Sequence, residues 1–230
     1  MIVALHGFTG SPAMWTSIGL QGPTLLGHGP DAWAAGTETF AQEVTRLTAF
    51  LPQEPVHLVG YSLGARLSLA IALRQPQRIG KLTLIGVHPG LESESECSER
   101  VASDKRWSAL LRDQGVSAFV DQWQALPLWN SQHALPEAVS EHLRELRLKH
   151  DSEQLALSLD ILGTGHMPPM WDALGDLRMP IQVIAGELDS KYSLIADRMC
   201  TLLPNATLRT IPSAGHNPVL ERPQAVADLL

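Results

Sequence analysis

Cysteine, long apolar runs and surplus basic charge are scarce or missing in this 230-residue sequence, and each absence narrows what it can do. Cys97 and Cys200 are its two cysteines, far apart and outside any C-x-x-C or Cys/His pattern. A disulfide framework is therefore not expected, and a reducing cytoplasm is the simplest home. The nine histidines include no H-x-H or H-E-x-x-H pair, so no metal is expected. No G-x-G-x-x-G follows a strand-like run and there is no P-loop, which leaves nucleotide cofactors without a site. The expectation is chemistry by side chains alone, with no cofactor. Lys and Arg number 17 against 24 Asp and Glu, giving a net charge of -7 and an isoelectric point near 5.7. That balance argues against nucleic acid and anionic membranes as partners. The first apolar run, Ile2 to Leu5, has no basic lead and is too short for a signal-peptide core. Nothing approaches the roughly 18 apolar residues of a membrane span, so no membrane insertion is expected.

What is present is a chain with 44% hydrophobic content, long enough for one large α/β domain with an inserted subdomain. Its organising stretch is Gly60-Tyr61-Ser62-Leu63-Gly64, a G-x-S-x-G pentapeptide. The strand-like Val56-His57-Leu58-Val59 precedes it. After it, Leu63, Leu67, Ala70, Ile71 and Arg74 recur at helical spacing. A serine between strand and helix, with glycines two before and two after, reads as a nucleophile elbow, because only glycine lets the backbones pass at such a turn.

The remaining elements come in order. Ile2-Val3-Ala4-Leu5 reads as a buried strand running into His6-Gly7-Phe8-Thr9-Gly10, a loop whose Phe8 backbone N–H would join that of Leu63 as an oxyanion hole. If that strand is the third of the fold, the opening antiparallel hairpin is absent and the sheet is short and parallel. Residues 23–29 read as a short strand ending in Gly27-His28-Gly29, with His28 a turn residue rather than a catalyst. Residues 38–51 form an amphipathic helix and residues 81–87 the next strand. Alternation of this kind predicts right-handed βαβ units. Between residues 91 and 177 strand-like runs vanish and helical segments are expected at 94–112, 116–124, 136–149 and 153–162. The block reads as a helical cap inserted into a core made of residues 1–90 and 178–230. Residues 181–186 and 206–211 are the last strands, followed respectively by Asp189 and His216, and the chain ends in a short helix. The sum is an α/β fold with about six mainly parallel strands flanked by helices.

Ser62, Asp189 and His216 thus occur in the order nucleophile, acid, base, each just after a strand. An imidazole can take the serine proton because it titrates near neutrality, and the aspartate can fix its tautomer. Glu187 is the competing acid, since it also follows the strand at 181–186.

The elbow Val59-Gly60-Tyr61-Ser62-Leu63-Gly64-Ala65-Arg66, the strand end His88-Pro89-Gly90-Leu91, Glu99-Arg100 with Ser103-Asp104-Lys105-Arg106-Trp107, Gly186-Glu187-Leu188-Asp189-Ser190-Lys191 and Ala214-Gly215-His216-Asn217 go further. Together they resemble the 2-succinyl-6-hydroxy-2,4-cyclohexadiene-1-carboxylate synthases of menaquinone biosynthesis, within the α/β-hydrolase superfamily, over nearly the whole chain. The resemblance implies a lyase that eliminates pyruvate from a small anionic substrate, with the triad as general base and no acyl-enzyme. It implies Arg66, Arg100 and Arg147 as carboxylate ligands, and Tyr61 and Trp123 as pocket walls. Departures are the missing second glycine after the elbow, the missing proline before Gly27 and the missing opening hairpin. A serine carboxylesterase or carbon-carbon bond hydrolase of the same fold stays open as the alternative. Oligomeric state is not readable.

Overall fold

The computed structural model describes residues 1–29 and 38–230. Its sheet has five strands, β1 (Ile2–Leu5), β2 (Val56–Tyr61), β3 (Ile79–Ile85), β4 (Ile181–Gly186) and β5 (Ala206–Ile211), in that spatial order, in keeping with the expected number. Every neighbouring pair is parallel. The register aligns Leu5 with Gly60, Tyr61 with Ile85, Ile85 with Ile184, and Gly186 with Ile211, so the carboxyl ends of all strands lie along one edge. The loops that leave those ends are thereby brought together, although their chain positions are far apart.

Side-chain alternation splits the strands between two cores. Leu5, Leu58, Leu84 and Val183 face α1 (Phe40–Phe50), α2 (Leu63–Arg74) and α6 (Ser190–Leu202), which contribute Val44, Leu67 and Met199. Ala4, Val59, Ile85 and Ile184 face the other way, against Trp15 of a 3-10 turn (Pro12–Ile18) and against α7 (Pro218–Glu221) and α8 (Pro223–Ala227). Both faces of β1 to β4 are largely buried, which is why those strands read as mostly apolar runs, whereas the edge strand β5 is half exposed. Each buried leucine contributes on the order of 1.5 to 3 kcal/mol. Thr39 caps α1 by accepting from the Gln42 N–H at 3.2 Å.

The segment at residues 23–29 is not a strand. Its backbone groups are taken by side chains: the Leu25 N–H donates to His6 Nε2 at 3.1 Å, the Leu26 N–H to Glu43 Oε1 at 3.0 Å, and Arg46 donates to the Thr24 carbonyl at 3.0 Å. These bonds take groups that a ladder would need.

Between β3 and β4 stand α3 (Glu94–Gln124), α4 (Glu137–Leu148) and α5 (Ser152–Leu162). Ser93 and Glu96 form a capping box at the start of α3. Gly115, at φ 81° and ψ 173°, breaks α3 where the sequence pattern separates two helices. Leu111, Phe119 and Val120 of α3 pack on Leu155, Ala156 and Leu159 of α5 in a cluster of their own. Among the described residues no helix is long and apolar enough to cross a membrane.

Candidate active site

Ser62 sits between β2 and α2 at φ 50° and ψ -107°, a conformation that costs an L-residue about 1 to 3 kcal/mol. Its neighbours enforce it. A Cβ at Gly60 would come within 2.6 Å of Ala65 Cα, and one at Gly64 would overlap the Leu5 carbonyl, so strand and helix pass only because both positions are glycine. The Ser62 N–H donates to the Ile85 carbonyl at 2.8 Å, tying the turn to β3.

Ser62 Oγ lies 3.1 Å from His216 Nε2, and His216 Nδ1 lies 2.7 Å from Asp189 Oδ2. The carboxylate can only accept, so Nδ1 carries the proton and Nε2 is left to accept from the serine hydroxyl. Asp189 is further fixed because its Oδ1 accepts from the Tyr192 N–H at 3.3 Å, at the start of α6. Glu187 points elsewhere, with Oε2 accepting from the Ser213 N–H at 2.8 Å. The loop bearing His216 is held by Glu221, a buried carboxylate that accepts from the Gly215 N–H at 2.7 Å and the Asn217 N–H at 3.3 Å. Tyr192, Tyr61 and Trp129 surround the imidazole, with ring centroids 4.3, 5.7 and 5.7 Å away.

Phe8 and Leu63 both border the cavity above Ser62, and neither backbone N–H has an acceptor among the described residues. Leu63 is the first residue of α2, where a free N–H is inherent to the helix end. The Phe8 loop is shaped by buried histidines. His28 Nε2 accepts from the Thr9 N–H at 3.2 Å, while His150 Nε2 donates to the Thr9 carbonyl at 3.1 Å. Burial lowers the pKa of His6 to about 4, and that of His28 well below the ordinary histidine value. These rings are neutral supports of the loop, and His28 lies apart from the Ser62–His216–Asp189 chain.

The cavity above Ser62 measures about 380 Å³, and its walls come from both the sheet edge and the helices between β3 and β4. Arg66 and Arg100 enter it. Arg66 is buried, with Nη1 donating to the Leu162 carbonyl at 2.7 Å; burial, then proximity to Arg100, lowers its pKa to about 10. Arg100 Nε is clasped by both oxygens of Asp104 at 2.9 Å, leaving the two Nη groups for a ligand. Tyr61 and Trp123 line the cavity, and Trp123 Nε1 and Ser158 Oγ are buried donors without a partner among the described residues.

Arg147 is not among the residues lining this cavity; it lines an adjoining one of about 560 Å³ that shares Phe8, Tyr61 and Trp129 with it, and its Nε and Nη1 are buried without a partner among the described residues. α4 turns it toward Trp129, and its guanidinium carbon lies 5.3 Å from the centre of that ring.

A profile described as the alpha/beta hydrolase family matches residues 2–229. The 2-succinyl-6-hydroxy-2,4-cyclohexadiene-1-carboxylate synthase of Salmonella typhimurium (strain LT2) is 33% identical, over 100% of this chain and 91% of its own. The chain belongs to the alpha/beta hydrolase family, in its 2-succinyl-6-hydroxy-2,4-cyclohexadiene-1-carboxylate synthase branch. A Bacillus subtilis (strain 168) protein provisionally given the same name is 34% identical over 97% of this chain and 86% of its own. Among solved structures, MenH from S. aureus superposes with a TM-score of 0.95 at 30% identity, covering 99% of this chain and 90% of that one. A thermophilic esterase from Thermogutta terrifontis, at TM-score 0.82 and 22% identity over 99% of this chain and 86% of that one, shares the fold.

For this alpha/beta hydrolase, reading the sequence overlooked Tyr192, Trp129, Glu221 and Lys191. Lys191 and Tyr192 lie two and three residues after the acid in chain order, which is a usable signal. Glu221 lies four and six residues after the N–H groups that it binds, a local signal that was not used, whereas Trp129 carries none, because only the fold brings it near His216.

Proposed function

We propose that this protein eliminates pyruvate from 2-succinyl-5-enolpyruvyl-6-hydroxy-3-cyclohexene-1-carboxylate, giving 2-succinyl-6-hydroxy-2,4-cyclohexadiene-1-carboxylate in cytoplasmic menaquinone biosynthesis. The observation that carries the reading is the opening of the Ser62–His216–Asp189 chain into a cavity that also holds the Arg66 and Arg100 guanidinium groups. Each charge-assisted hydrogen bond to a carboxylate is worth about 1.5 to 3 kcal/mol, enough to select an anionic substrate.

The ring proton to be removed lies beside the succinyl ketone. Ser62 Oγ takes that proton while His216 Nε2 takes the serine's, and Asp189 stabilises the imidazolium. The electron pair of the broken C–H bond moves first toward the ketone oxygen, where the Phe8 and Leu63 N–H groups meet the growing charge; one such donor is worth about 3 to 4 kcal/mol. As the pair shifts through the ring, the diene forms and the carbon-oxygen bond to the enolpyruvyl group breaks. The departing enolate takes a proton on its methylene carbon, which returns His216 to neutrality and yields pyruvate.

In this reading residues 91–177 are a cap over a core of residues 1–90 and 178–230, and their separate apolar cluster of α3 and α5 supports the division.

The test is pyruvate release from enzymatically generated substrate, with Ser62→Ala as comparison. Fast, serine-dependent release is expected, with Ser62→Ala below about a tenth of the parent kcat. A burst of nitrophenol from short-chain esters with no pyruvate release would instead make the protein a carboxylesterase.

A further inference from the structure

Lys191 is the second residue of α6, next to the pair formed by Asp189 and Tyr192. Its side chain borders the Ser62 cavity yet is exposed, so it stands at the rim. It has no ion pair or side-chain hydrogen bond among the described residues, and its Nζ lies 5.8 Å from the centre of the Tyr192 ring, which itself rests 4.3 Å from that of His216. The charges around the cavity therefore divide into two kinds. Arg66 and Arg100 are fixed, one by the Leu162 carbonyl and one by Asp104. Lys191 is a compact cation on a free stem at the open side.

The substrate of the proposed reaction carries a ring carboxylate, a succinyl carboxylate and an enolpyruvyl carboxylate. The first two stay on the product; the third departs. With Arg147 lining the neighbouring cavity, the Ser62 cavity offers Arg66, Arg100 and Lys191 to receive them. A planar guanidinium held in place suits a group that must not move during the reaction, and a flexible ammonium at the exit suits one that must leave. We infer that Lys191 binds the carboxylate of the enolpyruvyl arm and accompanies the departing pyruvate to the mouth of the cavity, whereas the two arginines hold the carboxylates of the retained ring. This inference rests on the pyruvate-eliminating reading. Lys191 thereby sets specificity for a substrate with an anionic leaving arm.

The experiment compares wild type, Lys191→Met and Lys191→Arg in two measurements: steady-state pyruvate release, and calorimetric titration with the dicarboxylate product. Lys191→Met is expected to lose about ten- to a hundredfold in kcat/KM, the scale of one charge-assisted contact. Lys191→Arg should recover most of that loss, and product affinity should stay within about twofold in both variants, because the product no longer carries the arm. The exposed position lets the variants fold, which matched melting temperatures check. If wild type releases pyruvate and Lys191→Met does so with the same kcat/KM, the inference is overturned while the reaction stands. If Lys191→Met weakens the product as much as the substrate, Lys191 holds a retained carboxylate and the inference is likewise overturned. Absence of pyruvate release from wild type overturns the reaction itself, and the inference with it.

Discussion

Glu221 shows how much of this site depends on one side chain that touches no reacting atom. Its carboxylate is buried and accepts from the N–H groups on both sides of His216. Glu221→Gln keeps the shape but replaces one acceptor oxygen by an N–H donor, which must face a backbone N–H. The expected cost is about 1 to 3 kcal/mol of stability. kcat should fall more than KM rises, since His216 loses its aim at Ser62 while the arginines stay in place. Denaturant unfolding and steady-state kinetics check this, and a variant with parental stability and kcat would remove Glu221 from its positioning role. The same scale shows what a sequence discloses. Ser62, Asp189 and His216 were legible because each follows a strand whose end is fixed by the sheet, and because the glycines at positions 60 and 64 leave the serine one conformation. Arg147 was not legible as to place. A helical position says which residues share a face, but not how far the helix is rotated, and α4 sets Arg147 against Trp129 in the cavity that adjoins the one above Ser62.

At the scale of elements, a backbone preference was more legible than a hydrogen-bond partner. The break in α3 fell where the pattern left it, because Gly115 at φ 81° and ψ 173° occupies a region essentially closed to other residues. The space around it is open: an added Cβ would have Ser152 Oγ at 3.9 Å as its nearest neighbour. Gly115→Ala therefore isolates backbone strain from steric clash. It is expected to destabilise the protein by about 1 to 3 kcal/mol and to loosen the packing of α3 on α5. A drop in melting temperature with faster amide hydrogen exchange at Leu155 and Leu159 would bear this out; an unchanged melting temperature would show that α3 can run straight through. The segment at residues 23–29 is the opposite case. Its apolar run resembles a strand, and only the fold reveals that His6, Glu43 and Arg46 claim the groups that a ladder would need.

At the scale of the whole molecule, buried neutral histidines tie its stability to pH. Burial lowers His6, His57 and His88 to about 4, His28 well below the ordinary value, and His150 in the same direction. In the unfolded chain these rings protonate as pH falls through about 6.5. The folded chain resists, because His6 Nε2 and His28 Nε2 must stay unprotonated to accept from Leu25 and Thr9. Between about pH 6.5 and 4 the unfolded state thus binds more protons, and stability must fall as the solution is acidified. The limiting slope is about 1.4 kcal/mol per pH unit for each fully buried ring. Above pH 6.5 these groups contribute no slope, since both states are neutral. Asp104 works the other way: burial raises its pKa, opposed by Arg100, so the folded state takes up that proton first and offsets part of the loss. Ordinary carboxyl groups titrate near 4, which leaves the window from about pH 6.5 to 5 to the histidines. Denaturant unfolding across pH 7.5 to 5 should show a plateau that bends downward near 6.5, and histidine ring NMR signals of the folded protein should keep His6 and His28 neutral to pH 5. Stability that stays flat through this window, or rings that titrate near 6.5 in the folded state, would mean that the cluster beneath the Phe8 loop is open to water. The consequence reaches the site: the Thr9 N–H bound by His28 adjoins the Phe8 donor, and because these rings stay neutral while the chain is folded, acid should leave that loop in place until the molecule itself unfolds.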